Sequence, residues 1–188
     1  MACTALTKGR GLDCNRISGG IKNIYFAVFD QVTSIPQTAG EITDLEMGTN
    51  DLYKYVMPLG VSSLTDTIVG SRENGTIYYT PTCNIILNRL TKEDQNQIKL
   101  LGATKTIIFA ELNETLVSSG NNVIVGLGSV NGMELNAGTM DSGAAWGDRN
   151  GYTLTFDGME ALPFAMVADY TTTPFDNAAF TFGAIVTS

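Results

Sequence analysis

The stretch NGTIYYTPTCNIILN, residues 74–88, decides how this chain folds. Asn74-Gly75 is the strongest short-range signal for a tight reversal between two strands. After it, Ile77, Tyr79, Cys83, Ile85 and Leu87 share one parity. Thr80, Thr82, Asn84 and Asn88 share the other, together with Tyr78 and Ile86. A period of two over that length is a strand with one apolar and one mainly polar face. Residues 62–69 supply the strand before the turn.

Working outward, residues 92–101 read as the one good helix. Thr91 is a suitable N-cap, Glu93 and Asp94 sit in the first turn where the dipole favours acids, and Asp94 completes a Thr-x-x-Asp capping box. Leu90, Ile98 and Leu101 form its apolar stripe, and Gly102 stands at the C′ position. A helix this short must pack on a sheet to persist. Residues 21–30, IKNIYFAVFD, are apolar on both parities, as in a strand covered on both sides. Residues 41–47 and 51–58 read as a pair of strands joined through Gly48-Thr49-Asn50. Further strands are expected at 104–112, 122–127, 133–137, 152–157 and 180–186. Residues 138–151 are too glycine-rich for a regular element and carry the only tryptophan, Trp146. The expectation is a mainly β fold: an antiparallel β-sandwich or partly closed barrel, with one flanking helix at about 92–101. An extended N-terminal arm occupies residues 1–20, ahead of one β domain at 21–188. No internal repeat or linker divides the chain.

Composition narrows the function. Histidine is absent from all 188 residues, which removes the commonest general base and metal ligand. Cys3, Cys14 and Cys83 contain no C-x-x-C pair, so a zinc site would need Cys and carboxylates alone, and no metal or other cofactor is expected. A Cys3–Cys14 disulfide is geometrically possible; free, partly buried thiols are the simpler reading. The first residues lack the apolar core of a signal peptide, and no stretch is apolar enough to span a membrane as a helix. The expected compartment is therefore a cytoplasm.

The net charge of −8 is unevenly distributed. Residues 1–22 hold Lys8, Arg10, Arg16 and Lys22 against Asp13 alone, whereas residues 106–188 hold nine acids against Arg149. The basic segment can be a solvated arm with incidental charge, a nucleic-acid arm opposed by the acidic body, or an arm that docks on the acidic body of the next subunit. The third reading makes Lys8, Arg10, Arg16 and Lys22 inter-subunit contacts.

No catalytic constellation survives inspection. Gly126-Leu-Gly128 with Gly132 has the wrong spacing for a nucleotide loop, and no helix follows it, so a turn between strands is expected. Cys83 has no histidine to activate it and falls in mid-strand. Asp148-Arg-Asn150-Gly151 lacks the later ligands of a calcium loop. Asp141 and Asp148 have no spacing that requires acid–base work. The chain is expected not to be an enzyme.

Leu6-Thr7-Lys8-Gly9-Arg10 with Cys14 and Gly19-Gly20-Ile21, and the later GAAWGDRNGYTLT (143–155) followed by Glu160 and Pro163, resemble the tail tube proteins of tailed bacteriophages. The order of arm, strands, central helix and strands is similar too. The resemblance implies hexameric rings that contribute strands to a continuous inner barrel and stack into a tube, bridged by the N-terminal arm and a long loop. It implies a negatively charged lumen through which DNA passes without specific binding, other tail proteins as partners, assembly in the host cytoplasm and a place in the virion tail. Glu41, Asp44, Glu46 and Glu134 are the candidate lumen acids, and residues 36–51 or 138–151 the candidate inter-ring loop. The alternative is another phage assembly protein: a tail terminator, a capsid decoration protein or a contractile-system inner tube protein. A binding module or an enzyme is the third class.

Overall fold

Strand β1 (Ile21–Val28) alternates between two cores. Ile24 and Phe26 enter one, Tyr25 and Ala27 the other, and all four are buried. Strand β8 (Thr106–Thr115), its antiparallel neighbour, does the same with Ile108 and Ala110 against Ile107 and Phe109. Two central strands without a polar face require a cover on each side. The computed structural model describes residues 8–11 and 17–187, and the elements around these strands are arranged to provide both covers.

The remaining strands are β2 (Gln37–Thr38), β3 (Glu41–Ile42), β4 (Leu45–Glu46), β5 (Leu52–Val56), β6 (Ser63–Ser71), β7 (Thr76–Asn88), β9 (Asn122–Leu127), β10 (Glu134–Asp141), β11 (Gly151–Asp157), β12 (Ala165–Val167), β13 (Phe180–Thr181) and β14 (Ile185–Val186). One sheet has eight strands in the order β14-β5-β1-β8-β9-β12-β3-β2; a second has four, β10-β11-β7-β6; β13 and β4 pair separately. The four-stranded sheet packs on one face of the larger sheet through Cys83, Ile85, Tyr152, Leu154 and Phe156, and helix α1 (Lys92–Leu101) joins that core through Ile98. Short strands and loops close the opposite face, with Ile42, Leu45, Met47, Val167 and Phe175 buried there. The result is a β-sandwich with one helix, and neither sheet closes into a barrel.

The long strand lies where its alternation places it, and the turn at Arg72–Gly75 has Gly75 at φ +63°. The helix has the expected bounds. Thr91 caps it, accepting from the Asp94 N–H at 3.0 Å while its hydroxyl donates to the Asp94 carboxylate at 2.5 Å. Gly102 ends it with φ −70°, closing on the Ile98 carbonyl without the left-handed conformation expected of it.

Two readings need correction. Residues 41–58 do not form a hairpin: β4 pairs with β13 and β5 with β1, because the apolar residues on either side of Gly48 serve different neighbours. The last strand is two short ones, β13 and β14, that interrupt at Phe182–Ala184 and join different sheets. Pairing is mainly antiparallel as expected, while β12–β3, β13–β4 and β14–β5 are parallel, each reached by a long return of the chain.

Phe175 fastens the second cover. It is buried with φ +67°, a conformation a phenylalanine tolerates only when its surroundings impose it. Tyr25 and Phe109 meet it edge-on at 5.0 and 5.4 Å, and Phe180 and Phe182 lie at 6.2 Å. Asp176 holds the turn before it, accepting from the Thr171, Thr172 and Thr173 N–H groups; the bonds from Thr173 and Thr171 bring its carboxyl down to about 2. Phe175→Ala should lower unfolding stability by about 3–5 kcal/mol, measured by urea denaturation. A loss under about 1 kcal/mol would mean that this cover does not depend on the ring.

Candidate assembly surfaces

In the four-stranded sheet β7 and β11 turn one parity into the core and the other outward, while the edge strands β6 and β10 reach the core through Leu64 and Leu135. Cross-strand register assembles the outer face as rows: Glu134–Asp157–Thr82–Thr65, then Ala137–Thr155–Asn84–Ser63, Thr139–Thr153–Ile86, and Asp141–Gly151–Asn88. Hydroxyls, amides and three carboxylates make up most of it. None of the four strands contains a lysine or arginine. Among the described residues, Lys105 and Arg149 from flanking loops bond to residues of this face: Lys105 Nζ lies 3.3 Å from Glu134, and Arg149 donates to the Thr153 hydroxyl at 2.6 Å.

Both outer edges of this sheet are open: among the described residues no strand pairs with the free side of β6 or of β10. Such edges template pairing with another chain unless they are guarded by charge, proline or a cover. The end of the sheet is unusual as well. β7 pairs with β11 only over Thr82–Asn88, so the β6–β7 hairpin continues beyond it as a two-stranded ribbon whose base is held by the segment after β11: Gly158 N–H donates to the Pro81 carbonyl, Tyr79 and Glu160 form a bridge, and Phe164 N–H donates to the Asp66 carboxylate. Ile68 and Ile77, on the parity that enters the core further along, are 66% and 64% exposed there. At the opposite end, residues 142–150 join β10 to β11 and present a fully exposed Trp146. This loop is shaped by carboxylates: Asp141 accepts from the Gly143 N–H, and Asp148 from the Ala144 and Ala145 N–H groups at 3.0 and 2.7 Å. The bonds from Ala145 and Ala144 hold the Asp148 carboxyl below its usual range.

The candidate residues are dispersed. Glu134 stands on the outer face of the four-stranded sheet, while Glu41, Asp44 and Glu46 lie in or beside β3 and β4, in the cover on the far side of the eight-stranded sheet. The structure does not bring these four acids together. Asp141 and Asp157, which do share a face with Glu134, were legible only through the pairing of β10 with β11. Lys8 and Arg10 are exposed; Arg16, Cys3 and Cys14 lie outside the described residues. Lys22 is engaged within its own chain, 3.0 Å from Glu111 and 2.7 Å from the Asn122 side chain. Residues 36–51 are folded into β2, β3 and β4, and four residues at the start of 138–151 extend β10; the projecting element is the β6–β7 hairpin.

Two buried carboxylates carry structural work. Glu111 accepts from Asn23 at 2.6 Å and Tyr25 at 2.9 Å besides pairing with Lys22. Burial alone would raise its pKa, but the bonds from Asn23, Lys22 and Tyr25 outweigh burial and hold it below the usual value. Glu160 accepts from the Val130 and Asn131 N–H groups at 3.0 and 2.9 Å, closing the loop after β9 between Gly128 and Gly132. Its carboxyl is raised because desolvation exceeds the help of those N–H groups. That glycine-rich loop is a turn between strands, as its spacing suggests. Burial pushes the Cys83 thiol up to about 12, which suits a packing residue and not a nucleophile. Among the described residues no three Cys, Asp or Glu side chains converge as metal ligands, and no helix is long and apolar enough to cross a membrane.

Comparison with protein-family models, with curated proteins and with solved structures returns no match.

Because the folded pKa of Glu111 is depressed, its contribution to stability is present above the ordinary carboxylate range and is lost as pH falls through the depressed value. Glu111→Gln should therefore cost about 1.5–3 kcal/mol near neutrality and flatten the acid limb of a plot of urea midpoint against pH. Parallel curves for the two proteins would show that Glu111 does not supply the acid sensitivity.

Proposed function

We propose that this chain is a structural, non-catalytic protein that assembles with copies of itself into rings, and that the rings stack into a tube through which DNA passes. The observation that carries this reading is the four-stranded sheet, open at both edges and free of strand-borne cations on its outer face. Copies arranged around an axis can pair β6 of one with β10 of the next, a head-to-tail contact that closes into a ring and removes both edges. The outer faces then become a continuous inner wall of hydroxyl, amide and carboxylate groups.

Such a wall suits a polyanion in transit. Every free lysine on it would release counterions from DNA and so add to salt-dependent retention. Here the strands supply carboxylates only, and the flanking Lys105 and Arg149 are bonded to Glu134 and Thr153. The resemblance to phage tail tube proteins supplies the remainder of the reading: six subunits per ring, a location in the virion tail, assembly in the host cytoplasm, and further tail proteins at the tube ends. Lys8, Arg10 and Arg16 of the basic segment are the proposed arm contacts between rings.

Electron microscopy of the purified chain should show tubes, or rings with a central hole wide enough for DNA; a strictly monomeric protein at high concentration would sink the reading. Thr82→Lys with Thr139→Lys should leave the tubes intact but make them retain DNA at low salt and release it at high salt, whereas the unaltered tubes retain little at either. Equal retention by both would exclude the conduit. Deleting residues 1–20 should leave rings while weakening their stacking, and tubes of unchanged length would refute the arm's role.

A further inference from the structure

The chain holds three Asn-Gly pairs, at 74–75, 131–132 and 150–151. Such a pair can react with itself. The glycine nitrogen, once it loses its proton, attacks Cγ of the asparagine side chain and closes a cyclic succinimide. Glycine favours the attack because no Cβ hinders the approach. Two things prevent it: a glycine N–H tied up as a donor, and a side-chain amide that cannot turn toward the main chain.

At Asn131 both obstacles are present. Its Nδ2 donates to the Met159 carbonyl at 2.6 Å, and its own N–H donates to Glu160 at 2.9 Å. The Gly132 N–H donates to the Gly128 carbonyl at 3.1 Å, and Gly132 is buried with the Phe29 ring against it. Asn150 is held to the start of helix α1. Its Oδ1 accepts from the Leu90 N–H at 3.1 Å, and its carbonyl accepts from the Arg89 N–H at 2.6 Å. Gly151 is buried between Asp141 and Asn88, so close to the Leu87 carbonyl that a Cβ has no room. Neither glycine nitrogen can swing toward its asparagine unless the loop or strand opens locally.

Asn74 is in the opposite condition. It stands with Arg72, Glu73 and Gly75 in the exposed turn beyond the last β6–β7 pair, Ser71 with Thr76. Among the described residues, neither its side-chain amide nor the Gly75 N–H has a hydrogen-bond partner. The bond that shapes the turn, from the Asn74 N–H to the Ser71 hydroxyl at 3.2 Å, uses neither reacting group. Nothing lies within 4 Å of the place where a Gly75 Cβ would stand, so the turn is uncrowded where the ring must close.

We propose that Asn74 is a self-modification site, converted to aspartate and isoaspartate through its own Gly75 nitrogen, while the fold protects Asn131 and Asn150. The Gly75 nitrogen gives its proton to solvent hydroxide and bonds to Asn74 Cγ. The Cγ–Nδ2 bond breaks, and Nδ2 takes a proton from water and leaves as ammonia. Water then opens the ring at one of its two carbonyls. Opening at the side-chain carbonyl gives aspartate; opening at the main-chain carbonyl gives isoaspartate, in which the peptide runs through the former side chain. Either product adds a carboxylate to a tip where Arg72 and Glu73 otherwise balance. Isoaspartate also lengthens the main chain by a methylene in a turn that must close Ser71 on Thr76. The reaction needs no enzyme, no cofactor and no assembly of the chain.

Tryptic mapping by mass spectrometry tests this on the full-length folded chain, held in warm, mildly alkaline buffer and sampled over days. Cleavage after Arg72 and Arg89 isolates Asn74 in the peptide 73–89. That peptide should exchange an amide for a carboxyl at Asn74 and elute as two forms, isoaspartate exceeding aspartate. Asn131 and Asn150 should convert at least roughly tenfold more slowly, since each needs prior local opening. In urea, where nothing is held, the three rates should converge. An unchanged Asn74, or equal rates at the three sites in the folded chain, overturns the proposal. An acidic species that forms at an undiminished rate in Asn74→Gln overturns it too. A lead of Asn74 that persists in urea overturns the fold as its cause.

Discussion

Everything in this molecule follows from the burial of both faces of β1 and β8. Ile24 and Phe26 face one way, Tyr25 and Ala27 the other, and none can be left in water without losing about 1.5–3 kcal/mol per large side chain. One cover is a regular sheet with a helix beside it; the other is a patchwork of two- and three-residue strands locked by Phe175. The regular cover contributes a single parity from β7 and β11 to the core, joined by Leu64 and Leu135 of its edge strands. Its other parity is therefore released from packing, and its composition reflects whatever the outer face meets. A chain with eleven lysines and arginines places none on these four strands, and it guards the β10 edge with the carboxylates of Glu134 and Asp141 and a bulge at Asn136.

How much of this could be read from residues alone depends on how far each signal reaches. The alternation of residues 76–88 and the capping box at Thr91 are local, and both yielded elements in the right place. Residues 21–30 announced a doubly covered strand because both parities are apolar. The failures lie where a strand's partner is distant. Leu45 and Leu52 sit on either side of a plausible turn, yet they pair with segments more than a hundred residues away in sequence, near Phe180 and Ile185. Strands of two residues carry no period to detect. The same limit applied to the face of the site: Glu134 was named as a candidate lumen acid, but Asp141 and Asp157 joined it only through a register that includes a bulge at Asn136.

The ribbon shows a different kind of legibility. Residues 64–81 keep the alternation of the core strand beyond the point where the core ends. Sequence reading groups Ile77 with Cys83 and Ile85 on the apolar parity, because nothing local distinguishes it from them. Only the extent of β11, which stops pairing at Thr82, reveals that the apolar parity has outrun its own cover. The apolar row therefore runs past the point where β11 covers it, with Tyr79 held by its bridge to Glu160 and Ile68 and Ile77 left exposed.

The basic segment must be weighed again in the same terms. Four cations at 8, 10, 16 and 22 first read as one electrostatic unit opposite an acidic body. Lys22 does not belong to that unit, for its ammonium is held by Glu111 and Asn122 at the root of β1. Glu111 is in turn the acceptor for Asn23 and Tyr25, so Lys22 helps to neutralise a carboxylate that the sheet has buried. Removing it would leave that charge half-paired in the core and not merely weaken a contact between subunits. Whatever attraction the arm exerts on a neighbour then comes from charges ahead of Ile21, while the Lys22–Glu111 pair fixes the point from which the arm departs.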